Sequence, residues 1–226
     1  MKLQTVGADA LMLYLGEQAT HATSALVQAA VERIEAALGD ELIDLVPSYA
    51  SILILYDPLR SSHVSVARRV RLALQALPSQ AATIGRNVVL PVYYAPEAGA
   101  DLEALAERAG LSVQEVIELH TGTEYRVYAI GFAPGFAYLG QVDERIATPR
   151  LATPRVRVPR GSVAIAERQT AVYPAESPGG WNLIGRCPVP MFNPRAEPSM
   201  PVAVGDSVRF AAIGRARFLA LGGELT

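Results

Sequence analysis

From residue 131 to its end the chain carries eleven of its sixteen prolines and eleven of its eighteen glycines. Proline removes a backbone donor and fixes φ, and glycine interrupts regular structure, so little long helix survives such punctuation. Around and between these residues stand short β-type runs: "EYRVYAI", "SVAIA", "QTAVYP", "NLIGR", "SVRFAAI" and "ARFLAL". Many short strands joined by Gly/Pro turns predict a barrel or a sandwich.

The first ~80 residues have another texture, in which strand and helix patterns alternate. "LQTV" and "ALMLYL" read as strands, and residues 18–38 as a helix, with Val27, Val31, Ile34 and Leu38 at helical spacing and Gly39 as the stop. "ELIDLVPSY" and "ASILILYD" follow as strands, then an amphipathic helix over 62–77 with Val66, Val70, Ala73 and Leu77 on its apolar face. With "NVVLPVYYA" as a further strand, the order β-β-α-β-β-α-β predicts a small ferredoxin-like α+β layer. The fold class is therefore α+β, with an N-terminal α+β domain over 1–82 and a β-barrel domain over 83–226, the boundary lying at Pro78–Arg86. Within the second domain Asp101 is placed to cap a short helix through Ala109. Ser112 and Glu115 form a capping box for a helix ending near His120.

Composition removes several function classes. A net charge of -2 and a pI near 6.0 leave no basic footprint for nucleic acid. No apolar run approaches the ~20 residues of a membrane helix, and the N-terminus lacks the apolar core and cleavage site of a signal peptide. Cys187 is the only cysteine, so no internal disulfide is possible. A cytoplasmic protein is expected. Lys2 is the only lysine, which excludes a lysine-dependent site in the body of the chain. No Gly-rich run ends in Gly-Lys-Ser/Thr, and no His/Cys cluster has metal spacing, so no metal is expected.

The chemistry-bearing segments are few. "GFAPGFAYLG", residues 131–140, puts Phe132, Phe136 and Tyr138 on a stretch that its glycines and Pro134 make irregular. Of the three histidines, His21 and His63 lie at helix starts and read as surface residues. His120 ends a helix, where the helix dipole favours it regardless of function, and is also the one histidine positioned as an acid/base candidate. "SPGGW", from Ser177, reads as a type II turn, and Ser177 has no base near it in sequence. Trp181 is either core filler or a pocket wall. "TPRLATPRVRVPRGS" carries Arg150, Arg155, Arg157 and Arg160 on a Pro-punctuated strand. The plain reading is a charged edge strand; the functional one is that Arg150 or Arg155 forks onto a carboxylate or phosphate, with Arg157 and Arg160 at the surface. Cys187 reads as a buried small hydrophobe.

Taken together, "GFAPGFAYLG", "TPRVRVPRGSVAIAERQTAVYP" and "SPGGWNLIGR", with "LVPSYASILILYDP", "DLEALAERAGLSVQEVIELH" and "VGDSVRF", resemble the signature blocks of the KipI family, also called allophanate hydrolase subunit 1. The resemblance covers nearly the whole chain. It implies a cyclophilin-like β-barrel for the second domain and a cleft lined by the aromatic loop. It further implies a role as the B subunit of an ATP-dependent 5-oxoprolinase. Such a chain would be inactive alone, and would open the lactam of 5-oxoproline to glutamate together with separate C and A subunits. The candidate site is then His120 as the catalytic residue, with Phe132, Pro134, Gly135, Phe136, Tyr138, Arg150, Arg155, Gln169, Ser177, Gly179, Gly180 and Trp181 binding the substrate. The alternative is a regulatory protein that binds and inhibits a sensor histidine kinase. A third possibility, one half of a carboxyltransferase-like module as in urea carboxylase, lacks a biotin-attachment lysine here. Two stretches depart from the family pattern. Ala166-Glu167-Arg168 stands where a Gly-rich turn is common, and "PVYYAPEAG" where a "VCYGG"-like stretch is usual.

Overall fold

The structure, a computed structural model, describes residues 1–18, 20–75, 77 and 85–225. Two compact units partition the chain, Met1–Ile84 and Gly85–Thr226. The expected boundary at Pro78–Arg86 falls largely on residues 78–84, outside the described residues.

In the first unit the elements are β1 (Lys2–Thr5), β2 (Ala10–Tyr14), α1 (His21–Leu38), β3 (Leu42–Pro47), β4 (Ser51–Tyr56) and α2 (His63–Leu74). The strands form one antiparallel sheet in the order β1-β2-β4-β3. Strand alternation sends Ile52, Ile54 and Tyr56 to one face, where they meet Val27, Ile34 and Leu38 of α1 and Val66, Val70 and Leu74 of α2. Thr20 and Ser62 cap the two helices with their hydroxyls, and Gly39, at φ 53, closes α1. His63 is not the surface residue that its position suggested. It is half-buried, and its Nδ1 shares a short hydrogen bond with the Tyr56 hydroxyl.

The second unit begins with β5 (Asn87–Val92), α3 (Leu102–Ala109) and α4 (Val113–Gly122), then β6 (Tyr125–Ile130), β7 (Ala137–Gly140), β8 (Arg155–Val158), β9 (Ser162–Ala166) and β10 (Gln169–Val172). β11 (Ser177–Gly179), β12 (Asn182–Arg186), β13 (Ser207–Ala212) and α5 (Arg215–Ala220) complete it. Seven strands pair in the order β12-β9-β10-β7-β6-β13-β5. Reciprocal backbone hydrogen bonds of 2.9 Å between Tyr93, just past β5, and Arg186 of β12 bring the two sheet edges together, so the sheet is a nearly closed barrel. One face of the sheet buries Val127, Leu139, Val163, Ile165, Val172 and Ile184 in a core shared with the apolar sides of α3 and α4.

Three expectations change. The strand read from "NVVLPVYYA" does not complete the first sheet; β5 pairs parallel with β13 in the barrel. "ARFLAL" is not a strand, because Gly214 starts a short helix there that buries Phe218 on one side. In so short an apolar run of Ala, Leu and Arg, strand and helix periods are indistinguishable, and these are good helix formers. "SPG" is not a free turn, since Ser177–Gly179 pairs with Arg155–Val158 as a two-stranded ribbon. The capping box at Ser112 and Glu115 forms as expected.

Candidate functional site

The stretch 131–136 is the loop of the β6–β7 hairpin, closed by hydrogen bonds from Gly131 N–H to the Phe136 carbonyl (3.0 Å) and from Phe136 N–H to the Ala133 carbonyl (2.9 Å). Gly135 sits at φ 85, where an added Cβ would come within 2.5 Å of the Met191 carbonyl oxygen; only glycine fits. Phe132 holds a left-handed backbone at φ 71, unusual for an aromatic residue, and is 65% exposed. Its ring meets Phe136 edge-on at 5.2 Å.

Phe136 is the hub. It is 2% exposed and makes edge-to-face contacts with Tyr138 (4.9 Å), Tyr173 (5.3 Å) and Trp181 (5.6 Å) as well. These rings lie on the face of the sheet opposite the main core. Their floor is Ala164, Ala166 and Ala171, whose small side chains leave room above the strands. Strand alternation puts Gln169 on the same face as Ala171 and Tyr173. The Arg150 guanidinium stands 5.8 Å over the Trp181 ring, a cation–π arrangement.

Arg155 joins the group through the ribbon, where it pairs with Gly179 in register. Its Nη2 donates to Asp101 at 2.7 Å, while the other Asp101 oxygen accepts from the Leu183 backbone N–H at 2.7 Å. Asp101 therefore precedes α3 without capping it by its side chain. The carboxylate fixes Arg155 instead. The remaining terminal nitrogen of Arg155, Nη1, is buried and meets no hydrogen-bond acceptor among the described residues. Gly179 has no room for a side chain, because its Cβ would overlap the Tyr173 hydroxyl. Burial raises the Tyr173 phenol above its ordinary pKa, so it stays protonated.

The structure thus gathers Phe132, Phe136, Tyr138, Gln169, Trp181, Arg150, Arg155 and Gly179 on one side of the barrel sheet. Pro134 and Gly135 shape its loop, and Ser177 and Gly180 flank it. His120 is not among them. It is fully buried on the other face of the sheet, with Nδ1 2.7 Å from the Tyr94 hydroxyl, Nε2 2.9 Å from Thr170 Oγ1, and its ring stacked on Phe210 at 4.5 Å. Burial pushes its pKa down to about 3, so the imidazole is neutral and serves the core. Tyr94 comes from the atypical "PVYYAPEAG" stretch and packs against the main core.

The His120 site has a pH consequence. The unfolded imidazole binds a proton below its ordinary pKa of about 6.5, while the folded one resists down to about 3. Stability should therefore fall as pH drops through this window, and be free of this effect above it. In His120→Gln the melting temperature should fall less steeply between pH 6 and 4 than in the unaltered chain. Equal slopes would contradict a buried neutral imidazole.

Two members of the constellation escaped sequence reasoning. Tyr173 was findable, since it follows Gln169 and Ala171 in strand alternation. Asp101 read locally as a helix cap, and nothing local pointed to its place here, because its partner lies 54 residues away. Cys187 is buried, as expected, with its thiol pushed up to about 12. Among the described residues no group of three His, Cys, Asp or Glu side chains is placed to hold a metal ion, and no helix is long and apolar enough to cross a membrane.

The chain falls in a defined class: the family described as carboxyltransferase domain, subdomain C and D, matches residues 1–202. The crystal structure of TTHA0988 superposes with a TM-score of 0.80 at 40% identity over 91% of this chain, which spans 40% of the length of that one. The Kluyveromyces lactis urea carboxylase shares the fold alone, with a TM-score of 0.74 at 14% identity over 96% of this chain and 22% of that one. The 5-oxoprolinase B subunit of Bacillus subtilis (strain 168) is 38% identical over 94% of this chain and 92% of its own length. The chain belongs to the family of 5-oxoprolinase B subunits, built on carboxyltransferase-type domains.

Proposed function

We propose that this chain is the B subunit of an ATP-dependent 5-oxoprolinase, acting in the cytoplasm with separate A and C subunits. The observation that carries the reading is the near full-length match to a protein of that name. Lactam hydrolysis breaks the ring C–N bond; water supplies the hydroxyl to the carbonyl carbon and a proton to the nitrogen, and ATP drives the step through phosphorylation of the amide oxygen. ATP handling is assigned to a partner, since this sequence has no P-loop and no lysine beyond Lys2. The chain contributes a binding face. Arg155, held by Asp101 through Nη2 and with part of its side chain exposed, is the group that meets the substrate carboxylate, because a guanidinium presents a planar fork that suits an oxyanion. Phe132, Tyr138 and Trp181 supply the apolar walls against which a five-membered ring packs. His120 takes no part.

The same reading assigns a ferredoxin-like layer to the first unit. Its order β1-β2-β4-β3 has the antiparallel neighbours of such a layer, with β1 occupying the place of the last strand. The second unit is read as cyclophilin-like. No observation favours the kinase-inhibitor alternative. The experiment is reconstitution of the chain with candidate A and C subunits, ATP and 5-oxoproline, followed by glutamate release. Turnover by this chain alone would refute its role as one part of a complex.

A further inference from the structure

Beyond the aromatic face, the second unit holds a separate cavity of about 130 Å³ lined by Arg160, Tyr173, Glu176, Arg186, Cys187 and Glu224, among others. Arg186 comes from β12 and is only 6% exposed, yet it forms no ion pair among the described residues. Its Nη1 donates to the Glu224 backbone carbonyl at 2.9 Å, and its Nε is buried with no acceptor. A buried guanidinium with an idle N–H is costly, and such groups are nearly always satisfied by an anion, a carbonyl or a water. The neighbouring charges do not cancel it. Glu176 is held by both prongs of Arg157, at 3.0 and 2.7 Å, whereas Arg160 on the rim forms no ion pair among the described residues. The guanidinium groups of Arg160 and Arg186 therefore share the cavity lining with one carboxylate, Glu224, that no arginine pairs among the described residues.

We infer that this cavity is a binding site for a small oxyanion, with Arg186 and Arg160, which both line it, as its cationic groups. The chemistry fits phosphate and carboxylate alike, since both present two oxygens at the spacing of a guanidinium fork. A volume near 130 Å³ admits an ion of that size. Tyr173 is the one residue of the cavity lining that also belongs to the aromatic cluster, so the anion site is distinct from the proposed substrate site. The inference does not depend on the identity of that substrate.

Thermal unfolding of the whole chain tests it, in sodium phosphate, in sodium acetate and in sodium chloride of matched ionic strength. Phosphate or acetate should raise the melting temperature saturably above the chloride control, and the anion that saturates at the lower concentration identifies the ligand class. In Arg186→Lys and in Arg160→Ala the half-saturating concentration should rise at least tenfold. In Arg209→Ala, a loss of the same charge at a residue paired with Glu124, it should change less than twofold. Arg160 is exposed, so its variant decides the matter even where Arg186→Lys does not fold. Absence of saturable stabilisation by either anion, or unchanged half-saturation in Arg160→Ala, would overturn the site.

Discussion

Phe136→Ala is expected to destabilise the second unit by about 3–5 kcal/mol, the usual cost of emptying a well-packed aromatic position. Phe136 is almost wholly buried and its ring meets those of Phe132, Tyr138, Tyr173 and Trp181. Its loss removes apolar burial worth about 1.5–3 kcal/mol and several edge-to-face contacts worth about 0.5–1.5 kcal/mol each. The alanines of the floor are too short to extend into the gap. The melting temperature should fall by roughly 10 °C for a unit of this size. Phe132→Ala is the contrast. That ring is mostly exposed, and removing it should leave the melting temperature nearly unchanged while weakening the binding face. A loss below about 1 kcal/mol for Phe136→Ala would mean that the aromatic cluster is loosely packed.

Arg155→Lys should be the most damaging conservative change to activity of the reconstituted complex. Lysine keeps the charge and can still reach Asp101, but it cannot hold Asp101 and a substrate carboxylate on two fixed prongs. A lost charge-assisted contact is worth about 1.5–3 kcal/mol, or roughly tenfold to a hundredfold in affinity. That loss should appear as a raised KM for 5-oxoproline with kcat much less affected, since the carboxylate is held alike in ground and transition states. Arg157→Lys, at an exposed pair with Glu176, should stay within about twofold. Unaltered KM in Arg155→Lys would remove Arg155 from the site and leave Arg150, over Trp181, as the remaining arginine candidate.

Legibility in the sequence tracked the range of the interaction. Helix limits at Gly39, Ser112 and Glu115 were readable because caps act within one turn. The crowding of Gly and Pro after residue 131 announced the strands of the barrel, and the aromatic loop announced one wall of the face. The partner of β5 was not readable, because parallel pairing with β13 joins residues about as far apart as Asn87 and Ser207. His120 misled for a related reason. A helix terminus suits a histidine locally, but the barrel then closes Tyr94 and Thr170 around it. Asp101 misled in the other direction: a residue placed to cap a helix turns its carboxylate to Arg155. The atypical Ala166-Glu167-Arg168 turn now has a physical account. Glu167 sits at φ 52, a left-handed position where glycine is free of strain, which is why a Gly-rich turn suits the β9–β10 hairpin.

The most direct measurement is glutamate formed from 5-oxoproline by the purified A and C subunits, with and without this chain, in the presence and absence of ATP. ATP-dependent turnover is expected only when all three proteins are present, and none from this chain by itself. Equal turnover by the other two without it, or no turnover from a complex that demonstrably assembles, would contradict the proposed role.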